Sequence, residues 1–167
     1  MGDNLNKERQ NNQLEEWWSD GLQFTCIPDC GRCCNEPDGL VFLSTKDAMN
    51  LSEFHNMEVN DWIERDCTRH RDGRIILKSN ESDGICIYLL DDMSCSVYES
   101  KPIQCSAFPW WKENLKNEYT WQKIKKTCPG IDLENAPIIT SNIIEKWVNA
   151  DIESTKGFRK YVDKNDV

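Results

Sequence analysis

Cys26-Ile27-Pro28-Asp29-Cys30-Gly31-Arg32-Cys33-Cys34 places four thiols within nine residues, around one proline and one glycine. Pro28 and Gly31 interrupt regular structure, so the stretch reads as a tight loop that turns its sulfurs and backbone N–H groups toward one centre. Amide donors aimed at sulfur stabilise thiolate charge, as the groups surrounding a metal site do, and Arg32 adds a compensating cation. Working outward, four more cysteines follow at wider intervals: Cys86, Cys95, Cys105 and Cys128. Cys95 follows an Asp-Asp-Met-Ser turn, Cys105 precedes Phe108-Pro109, and Cys128 is followed by Pro129-Gly130, so each is expected where an element gives way to a loop. Cys26, Cys30, Cys33, Cys34, Cys86, Cys95, Cys105 and Cys128 therefore form the candidate metal-ligand set. Cys67 stands apart in an expected helix over Asn60–Arg69 and reads as a core or surface thiol.

Disulfides fit this pattern poorly. The chain has nine cysteines, an odd number, and its first residues lack the apolar run of a secretory signal, so a reducing, cytoplasmic setting is expected. Adjacent side chains such as Cys33 and Cys34 are expected to diverge and to serve different partners. With only His55 and His70 as histidines, the donor set is soft sulfur, unsuited to calcium or magnesium. Two zinc ions held by four thiolates each, or an iron-sulfur or other polynuclear iron centre, both use eight sulfurs.

Charge narrows the partners. Across 167 residues, 29 acidic against 20 basic side chains give a net charge of -9, which argues against nucleic acid. Lys123, Lys125 and Lys126 read as one solvated strand face. No stretch has the length of a membrane span, so the expected partner is a protein or a small molecule. His70 reads as a solvated helix-end cation, and Asp29, Glu36, Asp91 and Asp92 as loop and turn residues. No acid/base pair or nucleophile motif is recognisable, so no catalytic residue is assigned and enzymatic activity is left open. Trp17-Trp18 and Trp110-Trp111 read as packing residues.

The expected fold is α+β, a small single domain of short strands and several helices organised around the cysteine site, with a long C-terminal helix. Residues 1–20 form an N-terminal helical extension with its pattern over Leu5–Ser19, residues 21–135 the cysteine-cluster core, and residues 136–167 the C-terminal helix packed on it. Strands are expected at Leu22–Cys26 and Leu40–Leu43, and an antiparallel pair at Arg74–Lys78 and Ile85–Leu89. Tyr119–Lys125 alternates like a strand. Ser44 or Thr45, Asn60, and Thr140 or Ser141 are expected to cap helices, the last running to Val162 with Ile144, Val148, Ile152 and Phe158 on its buried face.

From Phe24 to Gly130 the chain resembles the YkgJ-like cysteine-cluster proteins, the CxxCxxCC group of zinc- or iron-chelating domains. The resemblance is carried by Cys26-x3-Cys30-Gly31-x-Cys33-Cys34, Val41-Phe-Leu-Ser-Thr-Lys-Asp47, Cys95-Ser-Val-Tyr-Glu99, Lys101-Pro102, Cys105, Phe108-Pro109 and Cys128-Pro129-Gly130. Lys101-Pro102 stands where the family often has Arg-Pro, Ser106 where an arginine follows the cysteine, and Ile87 where a proline is frequent. The resemblance implies metal binding through all eight cysteines, with redox or modification chemistry since related domains look like part of flagellin lysine methylases. The adjacent thiols and this resemblance together favour iron-sulfur or polynuclear iron, with a zinc-stabilised binding module as the alternative. The spacing Cys26-x3-Cys30-x2-Cys33 is also similar to that of radical S-adenosylmethionine enzymes, although Arg32 replaces their usual aromatic residue and the chain is short for their partial barrel.

Overall fold

The computed structural model of the protein describes residues 16–160. Within them the elements follow in the order β1 (Leu22–Gln23), α1 (Thr45–Phe54), α2 (Val59–Asp66), β2 (Cys67–Arg69), β3 (Ile75–Leu77), a 3-10 turn (Tyr98–Ser100), α3 (Ile103–Ala107), α4 (Glu118–Lys125), β4 (Ile138–Ile139) and α5 (Ser141–Thr155). This is the expected mixture of helices with two small sheets, ending in a C-terminal helix. β1 pairs antiparallel with β4, and β2 with β3.

Ser44 starts α1 as expected. Its hydroxyl accepts from Asp47 N–H while the Asp47 carboxylate accepts from Ser44 N–H, a reciprocal cap. The next helix differs from expectation at both ends. Glu58, not Asn60, occupies the cap, and the helix stops at Asp66 because Cys67 is extended, at φ -118 and ψ 159. Cys67 thus opens a strand, paired Cys67↔Leu77, Thr68↔Ile76 and Arg69↔Ile75. The expected partner of Arg74–Lys78 was Ile85–Leu89, but the one bridge to the latter comes from Ser79, just past the first stretch, to Cys86. The nearer turn prevails: Gly73 N–H donates to His70 C=O, and Asp72 accepts from Arg74 N–H.

Tyr119–Lys125 is helical rather than a strand, and Lys123 and Lys125 accordingly lie on α4. Asn117 accepts from Thr120 N–H to start the helix, and Trp121 alone among its residues is fully buried. The alternation of Tyr, Trp and Lys concealed this cap. α5 ends at Thr155, short of Val162, where Gly157 takes a positive φ of 64. Ile144 is buried on it, whereas Ile152 is exposed and Phe158 lies beyond the helix, against a different part of the core. Leu40–Leu43 contributes only the bridge Phe42↔Ile76. The expected helix over Leu5–Ser19 falls mostly outside the described residues; its described end, Trp17–Asp20, forms a turn.

The apolar interior is divided between two clusters. One gathers Leu43, Leu51, Trp62, Ile63, Leu77 and Val97 between α1, α2 and the β2–β3 hairpin, with Cys67 buried in it. The other gathers Trp110, Leu115, Trp121, Ile131 and Ile144 beneath α4 and α5. Cys86 and Cys95 pack against the first cluster and Cys128 against the second, so candidate ligands border both.

Candidate metal centre

Backbone contacts bring the downstream cysteine segments to the first loop. Gly31, at φ 55, sits so close to the Asp91–Cys95 turn that a Cβ there would lie 2.2 Å from Met93 C=O. Gly130 is equally tight, its place for a Cβ being 2.0 Å from Thr25 C=O, and Thr25 N–H donates to Gly130 C=O at 3.1 Å. These two glycines lock the segments bearing Cys95 and Cys128 against the entry to the loop. Asp38 N–H donates to Gly84 C=O, fixing the segment before Cys86 to the residues after Cys34.

Within the loop, Cys34 N–H and Asn35 N–H both donate to Gly31 C=O, winding the chain through a helical turn. Consecutive side chains in such a turn are separated by about 100° rather than pointing to opposite sides. Cys33 and Cys34 therefore do not diverge as expected; their Sγ atoms lie 4.0 Å apart. That approaches the sulfur-sulfur edge of about 3.8 Å in a tetrahedral zinc-thiolate site, so the two thiols are spaced to share one ion or to flank a pair of metals.

Electrostatics joins the remaining thiols to this pair. The charge on Cys33 acts on Cys26, Cys34, Cys86, Cys105 and Cys128, while Cys95 acts on Cys86 and Cys105, and Cys30 acts on Cys26 and Cys128. Thiols of the first loop and of the downstream set thus feel one another's charge. Burial is the main force raising Cys26, Cys86, Cys105 and Cys128, and neighbouring thiolates raise them further. Cys34 is raised by its hydrogen bond to Cys33, which is itself lowered to about 7 by that bond against the opposing effect of burial. Removing a proton from Cys26, Cys34, Cys86, Cys105 or Cys128 is unfavourable without a cation, which a bound metal would supply.

Among the described residues, no three His, Cys, Asp or Glu side chains are grouped closely enough to hold a metal ion as they stand. The backbone brings cysteine-bearing segments together without closing their sulfurs on one point. Their chemistry fits a thiophilic metal: soft donors, exposed at Cys26 and Cys33 and half-buried at the other six.

The family model for CxxCxxCC, described as "Putative zinc- or iron-chelating domain", matches residues 25–129. The chain belongs to the CxxCxxCC family. Metal binding by zinc or iron chelation is the property this CxxCxxCC domain brings with it, and the matched span runs from just before Cys26 to just after Cys128. No solved structure matches the chain. No helix among the described residues is long and apolar enough to cross a membrane.

Cys67 is separate from the CxxCxxCC thiols. Burial raises it to about 12, and the charges acting on it come from Asp66 and Lys78. The histidines also have other surroundings: His55 stacks on Tyr88, and His70 Nδ1 lies 3.0 Å from Asp72. His70 follows a strand and is mostly buried, so it is not the solvated helix-end cation expected, because the hairpin folds it beside Phe42. Trp110 is buried and stacked on Trp121, a packing role as expected.

Sequence reasoning passed over Lys101 as a neighbour of the thiols. Its ammonium sits 4.0 Å above the Tyr98 ring, and its charge acts to lower Cys26, Cys33 and Cys105. The Lys-Pro that precedes Cys105 was visible, but nothing in a linear spacing shows which sulfurs an ammonium approaches.

Proposed function

We propose that this protein holds an iron-sulfur cluster or another polynuclear iron centre through Cys26, Cys30, Cys33, Cys34, Cys86, Cys95, Cys105 and Cys128. The supporting observation is the close backbone approach at Gly31 and Gly130, which holds the segments bearing Cys95 and Cys128 against the first loop. Eight thiolates are twice the complement of one tetrahedral ion. Downstream segments held against one loop favour one pooled centre over two independent four-thiolate sites. Such a centre supplies one-electron redox chemistry when bound, which is the role this reading assigns. The chain's contribution is to hold the sulfurs, to cover six of them in part and to place Lys101 beside them.

The acidic surface, with its net charge of -9, supports a protein or small-molecule partner rather than nucleic acid. Purification under strict anaerobic conditions from iron-replete cells is expected to give coloured protein with iron and a Mössbauer spectrum of a thiolate-bound cluster. Colourless protein that retains stoichiometric zinc under those conditions would sink the iron reading.

A zinc-stabilised binding module is the second reading, favoured by a different observation. Cys86 and Cys95 pack on one apolar cluster and Cys128 on the other, so a metal that they share ties two small cores together. In that case chelation unfolds the domain and the bound metal shows no reversible redox change.

A further inference from the structure

We infer that Asp47 is a positioning residue for Cys105, acting across 56 residues of sequence through the N-terminus of α3. The inference rests on the reading of Cys105 as a metal ligand. The two carboxylate oxygens of Asp47 are divided between two helices. Oδ2 accepts from Ser44 N–H at 2.8 Å and from Ser44 Oγ–H at 2.6 Å, completing the cap of α1. Oδ1 accepts from Ile103 N–H at 2.9 Å, at the first residue of α3.

That N–H is one of the donors every helix leaves unpaired at its start. Pro102 carries no side-chain cap for α3, and Asp47, itself only 2% exposed, supplies the acceptor from another helix. The bond leaves no hydrogen-bond partner role for water at this point and fixes where α3 begins. Cys105 lies on α3 two residues further on, within its first turn.

Gln104 secures the same helix from the adjacent position. Its side-chain oxygen accepts from Phe42 N–H at 2.7 Å and its amide donates to Leu40 C=O at 3.0 Å. Its backbone C=O accepts from Trp111 Nε1–H at 2.8 Å. Ile103 and Gln104, the two residues before Cys105, are therefore both tied to the segment Leu40–Asp47. That segment joins the first cysteine loop to α1, so the ties set Cys105 in register with the loop. Five residues of α3 make too short a helix to hold that position unaided.

The test compares variants that break the same cap on different sides. D47N leaves a single oxygen for two sets of donors and turns an N–H group toward one of them. S44A weakens the α1 cap and keeps the bond to Ile103. I103P removes the Ile103 donor at a position where a helix accepts proline and leaves the α1 cap intact, and I103A controls for the lost side chain. Each is alkylated with iodoacetamide, and the rate at every cysteine is read by mass spectrometry in the metal-free protein and again after zinc loading.

The expected result is that D47N and I103P raise the rate at Cys105 about tenfold over S44A and I103A, the scale of one charge-assisted hydrogen bond. Cys26 and Cys30 keep their wild-type rates. Folded D47N and I103P chains with Cys105 rates equal to those of the controls overturn the inference. In the wild-type chain, hydrogen exchange at the Ile103 amide is expected to be slowed; exchange at the rate of an open amide overturns it even if both variants fail to fold. Zinc that protects none of the eight cysteines would instead remove the metal reading, leaving the metal-free comparison and the amide exchange to decide the positioning.

Discussion

Cys33 Sγ lies 4.0 Å from Cys34 Sγ, within reach of a sulfur–sulfur hydrogen bond in which either thiol can donate. The hydrogen bond from Cys34 lowers Cys33 to about 7, with burial opposing and Lys101 assisting. In metal-free protein at pH 7.5 Cys33 is therefore expected to alkylate ahead of Cys26 and Cys105, both raised by burial. C34A removes the donor and should move the midpoint of the Cys33 rate-pH profile upward toward the ordinary thiol range. An unchanged midpoint would show that the pair does not share a proton.

Gly31→Ala is expected to damage the site more than its size suggests. The new methyl group meets Met93 C=O, and the backbone at φ 55 is one that alanine adopts with strain. A loss of about 1–3 kcal/mol in stability follows from the strain, together with weaker metal retention because the first loop withdraws from the Cys95 turn. Denaturant melts paired with metal analysis check both. Arg32→Ala, on an exposed side chain of the same loop, serves as the comparison and should leave stability within about 0.5 kcal/mol.

The carboxylate of Asp66 is buried in the first apolar cluster, where it receives Arg65 through two hydrogen bonds and the hydroxyl of Tyr88. Burial pushes its pKa up, but the Arg65 and Tyr88 bonds outweigh this and the net shift is downward. A lowered carboxylate adds stability at neutral pH that is lost as pH falls through its folded value. D66N should cost about 2–4 kcal/mol at pH 7, and the deficit relative to wild type should shrink on acidification. Urea midpoints at pH 7 and at about pH 2.5, below the ordinary carboxylate value, measure the difference.

Asp151 has the opposite sign. Burial on α5, with the Glu113 charge adding to it, raises the carboxyl to about 6. A raised acid favours the folded state while protonated, so its contribution is fully present below the unfolded carboxylate value and is lost as pH rises through about 6. D151N is expected to gain about 1–2 kcal/mol at pH 8 and almost nothing at pH 4. Thermal melts at the two values decide this, and a variant less stable at pH 8 would contradict it.

What could be read from the sequence was local, and what could not was tertiary. The Ser44–Asp47 cap and the start of α5 were legible because their donors and acceptors are neighbours in the chain. The eight cysteines stood out by composition and by the turns around them. Their gathering depends on close backbone approaches at Gly31 and Gly130, whose partners Met93 and Thr25 lie far along the chain. The Cys67–Arg69 strand was concealed by helical periodicity that ran on from α2, and only its pairing with Ile75–Leu77 fixes it. Asp47 showed one of its two roles, since the bond to Ile103 N–H requires α1 and α3 to be already side by side.

The division of the interior also distributes the chromophores. Of the seven tryptophans, Trp17, Trp18, Trp110, Trp121 and Trp147 belong to the cluster that packs against Cys128, while Trp62 lies in the other. Ultraviolet-excited emission from this protein is therefore dominated by one of the two clusters. A coloured iron centre held at Cys128 would drain that emission by energy transfer, whereas colourless zinc would leave it bright. The chain carries its own optical gauge of which metal it has taken up.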